Sequence, residues 1–277
     1  MLTDSGEIDC TFYTMGFLSE YRELYVEELT LLKKIQSFGK MYSKADMERV
    51  DNVVMKLLYR VFSNLYSATM LTTTALKNKR IAFYQLPIGI VLRCCFIDCL
   101  FVLYIQNLDK NRAYEDLDLR SVEYANSLLE RREVYRDQVK STGLKFDDGF
   151  IDHLWELSLE DNFLHLLAFD ESIEGIELTK QSKTQLQKSG FSRSKSARIN
   201  EQKDFLIKKA GVDQLAMKLY SYYKYFSQYE HFSENGHGDV MVSSKEDGND
   251  NIHFPSCIRV LRSAVDEIMK GFKLNKC

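Results

Sequence analysis

Proline and glycine are scarce in this sequence, with 2 prolines and 13 glycines among 277 residues. Folds rich in strands and tight turns need more of both, so the scarcity favours long uninterrupted helices. Hydrophobic residues make up 45% of the chain and charged residues 28%, which supplies a sizeable core without a disulfide or metal staple. We therefore predict an all-α fold.

Paired cysteines are also absent. None of the six cysteines stands in a CxxC arrangement, and Cys94, Cys95 and Cys99 lie in one apolar run, where they are typical small buried hydrophobes. This usage favours the reducing cytoplasm. Residues 1–10 are acidic and lack the basic flank and apolar stretch of a signal peptide, so we expect no secretion.

The sequence lacks the common catalytic and nucleotide-binding motifs. There is no GxGxxG, GxxxxGK[ST] or GxSxG, which argues against familiar nucleotide-binding loops and hydrolases. His231 and His237 have acidic neighbours, but their spacing matches no established metal frame. We predict neither a metal nor a cofactor.

An excess of positive charge is missing from the chain as a whole but not from one segment. The net charge of −3 gives no general attraction to nucleic acid or anionic lipid. Residues 178–203, however, are rich in Ser and Gln and carry seven cations against the single acid Glu201. We predict one helical domain over 1–277, in which this segment is a linker or docking strip, or else binds nucleic acid through Lys188, Arg193, Lys195 and Arg198.

Apolar residues recur at helical spacing through most of the chain. Gly39 is expected to end the first helix, and Pro87 is expected in the first turn of the third. The pattern predicts helices over residues 17–39, 44–77, 87–107, 114–141, 150–169, 203–210, 212–232 and 255–272.

The helix at 87–107 is apolar nearly all round and is predicted to be the centre of a multi-helix bundle. It is long enough to span a membrane, but Arg93 and Asp98 would each cost roughly 2.5 to 3.5 kcal/mol at mid-bilayer, which favours a buried soluble helix. The two residues lie about 140° apart around the helix, so each is expected to meet a different neighbour. They could form two buried ion pairs that set helix register, or face a functional cavity.

A second polar cluster is expected near the end of the helix over 212–232. Ser227 and His231 are one helical turn apart, so a hydroxyl and an imidazole would share one face. The alternative is that His231 caps the helix or makes a core hydrogen bond.

These two segments resemble a group of bacterial helical proteins of uncharacterised function related to the HEPN (higher eukaryote and prokaryote nucleotide-binding) superfamily. The resemblance lies in Leu92-Arg93 followed by Asp98, and in Tyr223 or Tyr225 followed by Ser227, His231 and Ser233. The group places its acid one residue nearer to the arginine. No arginine here stands at the spacing from a histidine that ribonucleases of the superfamily share. The resemblance implies a HEPN-like bundle and an RNA-directed effector of defence or toxin type.

Two functional hypotheses stay open at this point. In the first, Arg93, His231, Ser227 and Asp98 form a catalytic site, with the arginine stabilising phosphate charge and the histidine moving a proton. In the second, they form a buried network in a non-catalytic module that binds a protein partner or self-associates. An aromatic small-molecule sensor is a third reading. The first requires Arg93 and His231 to be neighbours in space.

Overall fold

The regular secondary structure described in this computed structural model is all helical. Seven helices and no strand occur within residues 10–42, 48–78, 81–120, 123, 195–227 and 253–274, which are the residues that the structure describes. The predicted all-α class is confirmed for this part of the chain. The finer HEPN-like arrangement remains a prediction.

The helices are numbered here in chain order. The first three are long and follow one another closely, and the later ones are shorter except for the last. Their bounds are α1 Cys10–Tyr42, α2 Arg49–Asn78, α3 Ile81–Gln106, α4 over 110–120, α5 Ile199–Leu206, α6 Asp213–Ser227 and α7 Phe254–Leu274.

The chain forms two compact units. One comprises Met1–Asn107 with Ile199–Cys277, and the other comprises Leu108–Arg198. In the first unit α1 packs on α2 and α7, while α3 packs on α2 and α7 from the other side, so these four helices close a ring. Helices α5 and α6 then cover another side of α3.

Helix α3 is the central element of the first unit, as predicted. It contacts α2, α5, α6 and α7, and its fully buried side chains include Ile88, Leu92, Phe96 and Leu100. Tyr84–Gln106 is long and apolar enough to cross a membrane, and 72% of its most apolar window is buried inside the protein. No other described helix meets that criterion.

Two expected helix boundaries were wrong. Helix α3 starts at Ile81, so Pro87 lies inside it and not in the first turn. Helix α1 continues past Gly39 to Tyr42. A side chain at Gly39 would place its Cβ 3.2 Å from the hydroxyl of Tyr59, so the glycine permits close packing of α1 on α2 and does not end the helix.

Other expected boundaries shift by a turn or lie outside the described residues. The helix expected over 203–210 runs instead over Ile199–Leu206, and a turn with Gly211 at φ 93° separates it from α6. Helix α4 begins at 110, earlier than the expected 114. The C-terminal helix is confirmed. The helix expected over 150–169 and the ends of those expected over 114–141 and 212–232 lie outside the described residues.

One acid is buried between α1 and α2. Glu28 is fully enclosed, its Oε1 lies 3.2 Å from the hydroxyl of Thr72, and its Oε2 has no hydrogen-bond partner. The Thr72 hydroxyl also lies 3.0 Å from the carbonyl oxygen of Ala68, and its single hydrogen cannot serve both acceptors. Burial raises the pKa of Glu28 to about 8, although the Thr72 and Thr69 hydroxyls oppose the shift. Glu28 is therefore neutral at pH 7 and can itself donate to Thr72.

This buried acid predicts a specific pH dependence of stability. Because the pKa of Glu28 is raised in the folded state, that state holds a proton that the unfolded chain releases above its ordinary pKa of about 4.3. The stability contributed by neutral Glu28 is full below that value and is lost as pH rises to about 8. We expect Glu28→Gln to be roughly 2 to 4 kcal/mol more stable than the parent at pH 8, with little difference at pH 4.5.

The measurement is urea denaturation from pH 4.5 to pH 8.5. Glu267→Gln is the matched control, since Glu267 pairs at the surface with Lys270 one turn later. Its profile should follow the parent. Parallel profiles for Glu28→Gln and the parent would show that Glu28 is ionised in the folded protein.

Candidate functional site

The candidate site lies where α3 meets the end of α6. Nε of Arg93 donates a hydrogen bond to Oγ of Ser227 at 3.0 Å. The Ser227 hydroxyl in turn donates to the backbone carbonyl of Tyr223 at 2.7 Å, and the Arg93 guanidinium carbon lies 5.3 Å from the centre of the Tyr223 ring. Arg93 is half-buried. It is thus a partly exposed cation held by a hydroxyl on one side and an aromatic ring on another.

Aromatic packing sets the position of α6 on α3. The ring of Phe96 stacks on that of Phe226 with centroids 5.9 Å apart, and it also contacts Tyr222 at 5.3 Å. Phe96 lies one turn after Arg93, and Phe226 directly precedes Ser227. Burial of these rings therefore brings the arginine and the serine together.

Asp98 makes its contacts on a different side of α3. It is 1% exposed and receives two hydrogen bonds from Arg60 of α2, with Nε 2.7 Å from Oδ2 and a terminal nitrogen bonded to Oδ1. Burial raises the pKa of Asp98, while Arg60 lowers it, and the bond to Asp98 raises the pKa of Arg60. The fork geometry holds the carboxylate in place and ties α2 to α3.

The expectation that Arg93 and Asp98 meet different neighbours is therefore confirmed. Among the four residues proposed for a catalytic site, the structure brings Arg93 and Ser227 together and places Asp98 against α2. His231 lies outside the described residues. The hydrogen of the Ser227 hydroxyl is already donated to a backbone carbonyl, so in this geometry Ser227 orients Arg93.

Two of the three thiols of α3 are buried and inert. Cys95 and Cys99 are fully enclosed, and burial raises the pKa of each thiol well above its usual range. Both remain protonated at neutral pH and act as small core residues, as predicted, and Cys94 beside them is half-buried and forms no disulfide. Among the residues that the structure describes, no group of three or more His, Cys, Asp or Glu side chains could hold a metal ion.

The described end of the basic segment belongs to the second unit and is fixed on α4. Asp116 accepts from the amide of Ala197 at 2.7 Å, and Arg120 donates to the Ala197 carbonyl at 2.5 Å. The carboxylate of Glu123 receives both the amide and the hydroxyl of Ser196. Residues 196–197 are therefore held in place, unlike a free linker.

This clamp presents cations at its two ends. Lys195 and Arg198 flank the buried pair at 196–197, and both are exposed. Two of the four residues expected to bind nucleic acid thus project from a fixed loop. Lys188 and Arg193 lie outside the described residues.

Two contacts of the candidate residues were not predicted from the sequence. Arg60 is an exposed cation between buried positions of α2, and its pairing with Asp98 joins residues 38 positions apart. Tyr223 is one of many aromatics in α6, and nothing in its spacing marks it as the ring beneath Arg93. Glu28 did carry a signal, since it interrupts the apolar spacing of Leu24, Leu31 and Ile35.

Comparison with protein-family models, with curated proteins and with solved structures gives no match to this chain. The inferences below therefore depend on its own residues.

We expect removal of one partner of the pair formed by Arg60 and Asp98 to cost more stability than replacement of both. Arg60→Ala leaves a buried carboxylate without its counter-ion, and we expect a loss of about 3 kcal/mol of unfolding free energy at pH 8. The loss should shrink toward pH 4, because the unpaired Asp98 then takes up a proton. The double variant Arg60→Met with Asp98→Leu should recover most of the stability.

Chemical denaturation at pH 8 and pH 4 measures both effects. Arg22→Ala, an exposed arginine on α1, is the matched control and should change stability by less than about 0.5 kcal/mol. A double variant no more stable than Arg60→Ala would contradict the ion pair as the source of the loss.

Proposed function

We propose that this protein is an RNA-directed effector in which Arg93 binds and stabilises phosphate charge while His231 transfers a proton. The contact between Arg93 and Ser227 carries the proposal, because it holds a partly exposed guanidinium in one orientation. A pre-oriented fork of N–H donors suits a phosphate whose charge grows during phosphodiester cleavage. His231 follows Ser227 by four residues in the sequence, so chain connectivity keeps an imidazole within reach of this end of α6.

The exposed cations Lys195 and Arg198 support RNA as the ligand. They flank a clamped loop, so little backbone conformational entropy is lost when they contact a phosphate backbone. Their contribution to binding should fall as salt concentration rises. No metal takes part in the proposed chemistry.

A non-catalytic interaction module is the second candidate, and a specific observation favours it. The bonds from Arg60 to Asp98 and from Arg93 to Ser227 each join α3 to a different helix. Ties of this kind specify helix register whether or not a substrate binds. In this reading the polar residues of α3 hold the bundle together for a protein partner or a second copy.

Substitutions at the site separate the two candidates. On the catalytic reading, Arg93→Ala should reduce cleavage of a fluorogenic RNA by about 10² to 10³-fold, and His231→Ala by at least about 10²-fold. Arg93→Lys should rescue only part of the activity, since lysine lacks the fork. Ser227→Ala should cost less than Arg93→Ala, because it removes only the orienting acceptor.

Folding is followed by thermal melting of the same variants. If the protein is an interaction module, Arg93→Ala and Ser227→Ala should each lower the melting temperature, and no RNA cleavage should be lost. Arg112→Ala is the matched control, as Arg112 is exposed and its ion pair in the described part of the chain is with Asp109, three residues away. Unchanged RNA cleavage in Arg93→Ala and His231→Ala, or cleavage abolished by a chelator alone, would refute the proposed function.

A further inference from the structure

The outward side of α1 and α2 differs from the rest of the protein in charge. Residues 29–42 and 52–78 contain six lysines and arginines and no aspartate or glutamate, although the chain carries a net charge of −3. Two of these cations are paired with acids of other helices, Lys34 with Asp266 and Arg60 with Asp98. Lys33 and Lys77 are exposed and have no acidic partner in the described part of the chain. Lys33 and Lys77 therefore add positive charge to this side that no described acid offsets.

A row of large side chains is exposed along the same side of α2. Tyr59, Tyr66 and Met70 are 52%, 53% and 53% exposed. Spacings of seven and four residues place them on one helical face, spread over about 16 Å. Each of these large side chains is more than half exposed, so the row is available to a ligand.

The packing of α1 on α2 places a lysine of α1 level with a tyrosine of α2 along the helix axes. The hydroxyl of Tyr59 lies over Gly39, and Thr72 bonds to Glu28, so the two helices run antiparallel in a defined register. Interpolating between these contacts sets Lys33 of α1 level with Tyr66 of α2. We name Lys33, Tyr59, Tyr66, Met70 and Lys77 the α1–α2 outer face.

The side chains of this face exclude two kinds of occupant. Pairing with a second copy would set the lysines of one face against those of the other, with no acid from 52 to 78 to compensate. Insertion into a lipid surface would need a continuous apolar stripe, and here Ser63 and Ser67 interrupt the row. An anionic ligand with flat apolar groups satisfies both the lysines and the exposed rings.

We propose that the α1–α2 outer face binds single-stranded RNA, with the rings of Tyr59 and Tyr66 stacking on bases and Lys33 and Lys77 contacting phosphates. A cationic surface interleaved with aromatic rings is the usual way in which proteins hold single strands without reading their sequence. RNA as the ligand rests on the proposed function. Helix α2 contacts α3 on its Asp98 side, whereas Arg93 faces α6, so this face holds the strand away from the proposed chemistry.

Fluorescence polarisation of a labelled 20-nucleotide oligouridine with the full-length protein tests the surface. Tyr59→Ala with Tyr66→Ala should weaken binding at least about tenfold. Lys33→Glu with Lys77→Glu should weaken it at least about tenfold at low salt and flatten the dependence on salt concentration. Each single variant is made as well, so that a misfolded double variant leaves the test intact.

Lys208→Glu with Lys218→Glu is the matched control. It makes the same change in net charge at two exposed lysines elsewhere in the first unit, and binding should stay within about twofold of the parent. The inference is overturned if the parent does not bind oligouridine, or if the control weakens binding as much as the outer-face variants. It is also overturned if poly-glutamate competes as well as oligouridine, which would point to an acidic protein partner.

A second readout separates this inference from the proposed function. Cleavage of a tetranucleotide, too short to reach both sites, should be lost in Arg93→Ala and unchanged in the outer-face variants. Arg93→Ala should still bind the 20-nucleotide strand. Binding without any cleavage would refute the proposed function and leave the outer face standing, whereas cleavage with unaltered binding in the outer-face variants would do the reverse.

Discussion

Helix α3 is apolar nearly all round, yet it carries a carboxylate and a guanidinium, and each has its partner on a different neighbouring helix. A buried charge without a partner costs several kcal/mol, which is a large part of the stability of a domain. Helix α2 packs where Arg60 reaches Asp98, and the aromatic packing of α6 on Phe96 brings Ser227 to Arg93. Once α2 is set in this way, α1 follows it through the contact of Gly39 with Tyr59 and the bond between Thr72 and Glu28.

The two polar ties of α3 differ in what they leave accessible. Asp98 is buried, and both of its carboxylate oxygens accept hydrogen bonds from Arg60, so it serves to hold α2 against α3. Arg93 is half-buried, its ring contact is with Tyr223, and its Nε donates to Ser227. An arginine held at the edge of the core, with its plane fixed, is suited to binding an anion. Asp98 and Arg93 therefore differ in accessibility because one side chain is enclosed and the other is only half-buried.

Polar chemistry and surface charge occupy different sides of the first unit. Arg93 faces α6. The α1–α2 outer face lies on the solvent side of α2, whose other side holds Asp98 through Arg60. The acids of α1 that could neutralise this face are directed elsewhere, since Glu23 and Glu27 pair with arginines of α7 and Glu28 is buried. Segregation of the acids leaves a cationic surface on a protein whose total charge is negative. Net charge alone would not have revealed it.

Hydrophobic spacing by itself determined the helical class, the central place of α3, the burial of Cys95 and Cys99 and the C-terminal helix, because each depends on local periodicity and apolar content. It also placed Arg93 and Asp98 on different sides of α3, since 3.6 residues per turn is a property of any helix. Only the tertiary structure decided that Asp98 pairs with Arg60, that Arg93 rests on Tyr223, and that Gly39 serves packing. Those outcomes depend on the register between helices distant in sequence, which is set by the simultaneous fit of all their side chains.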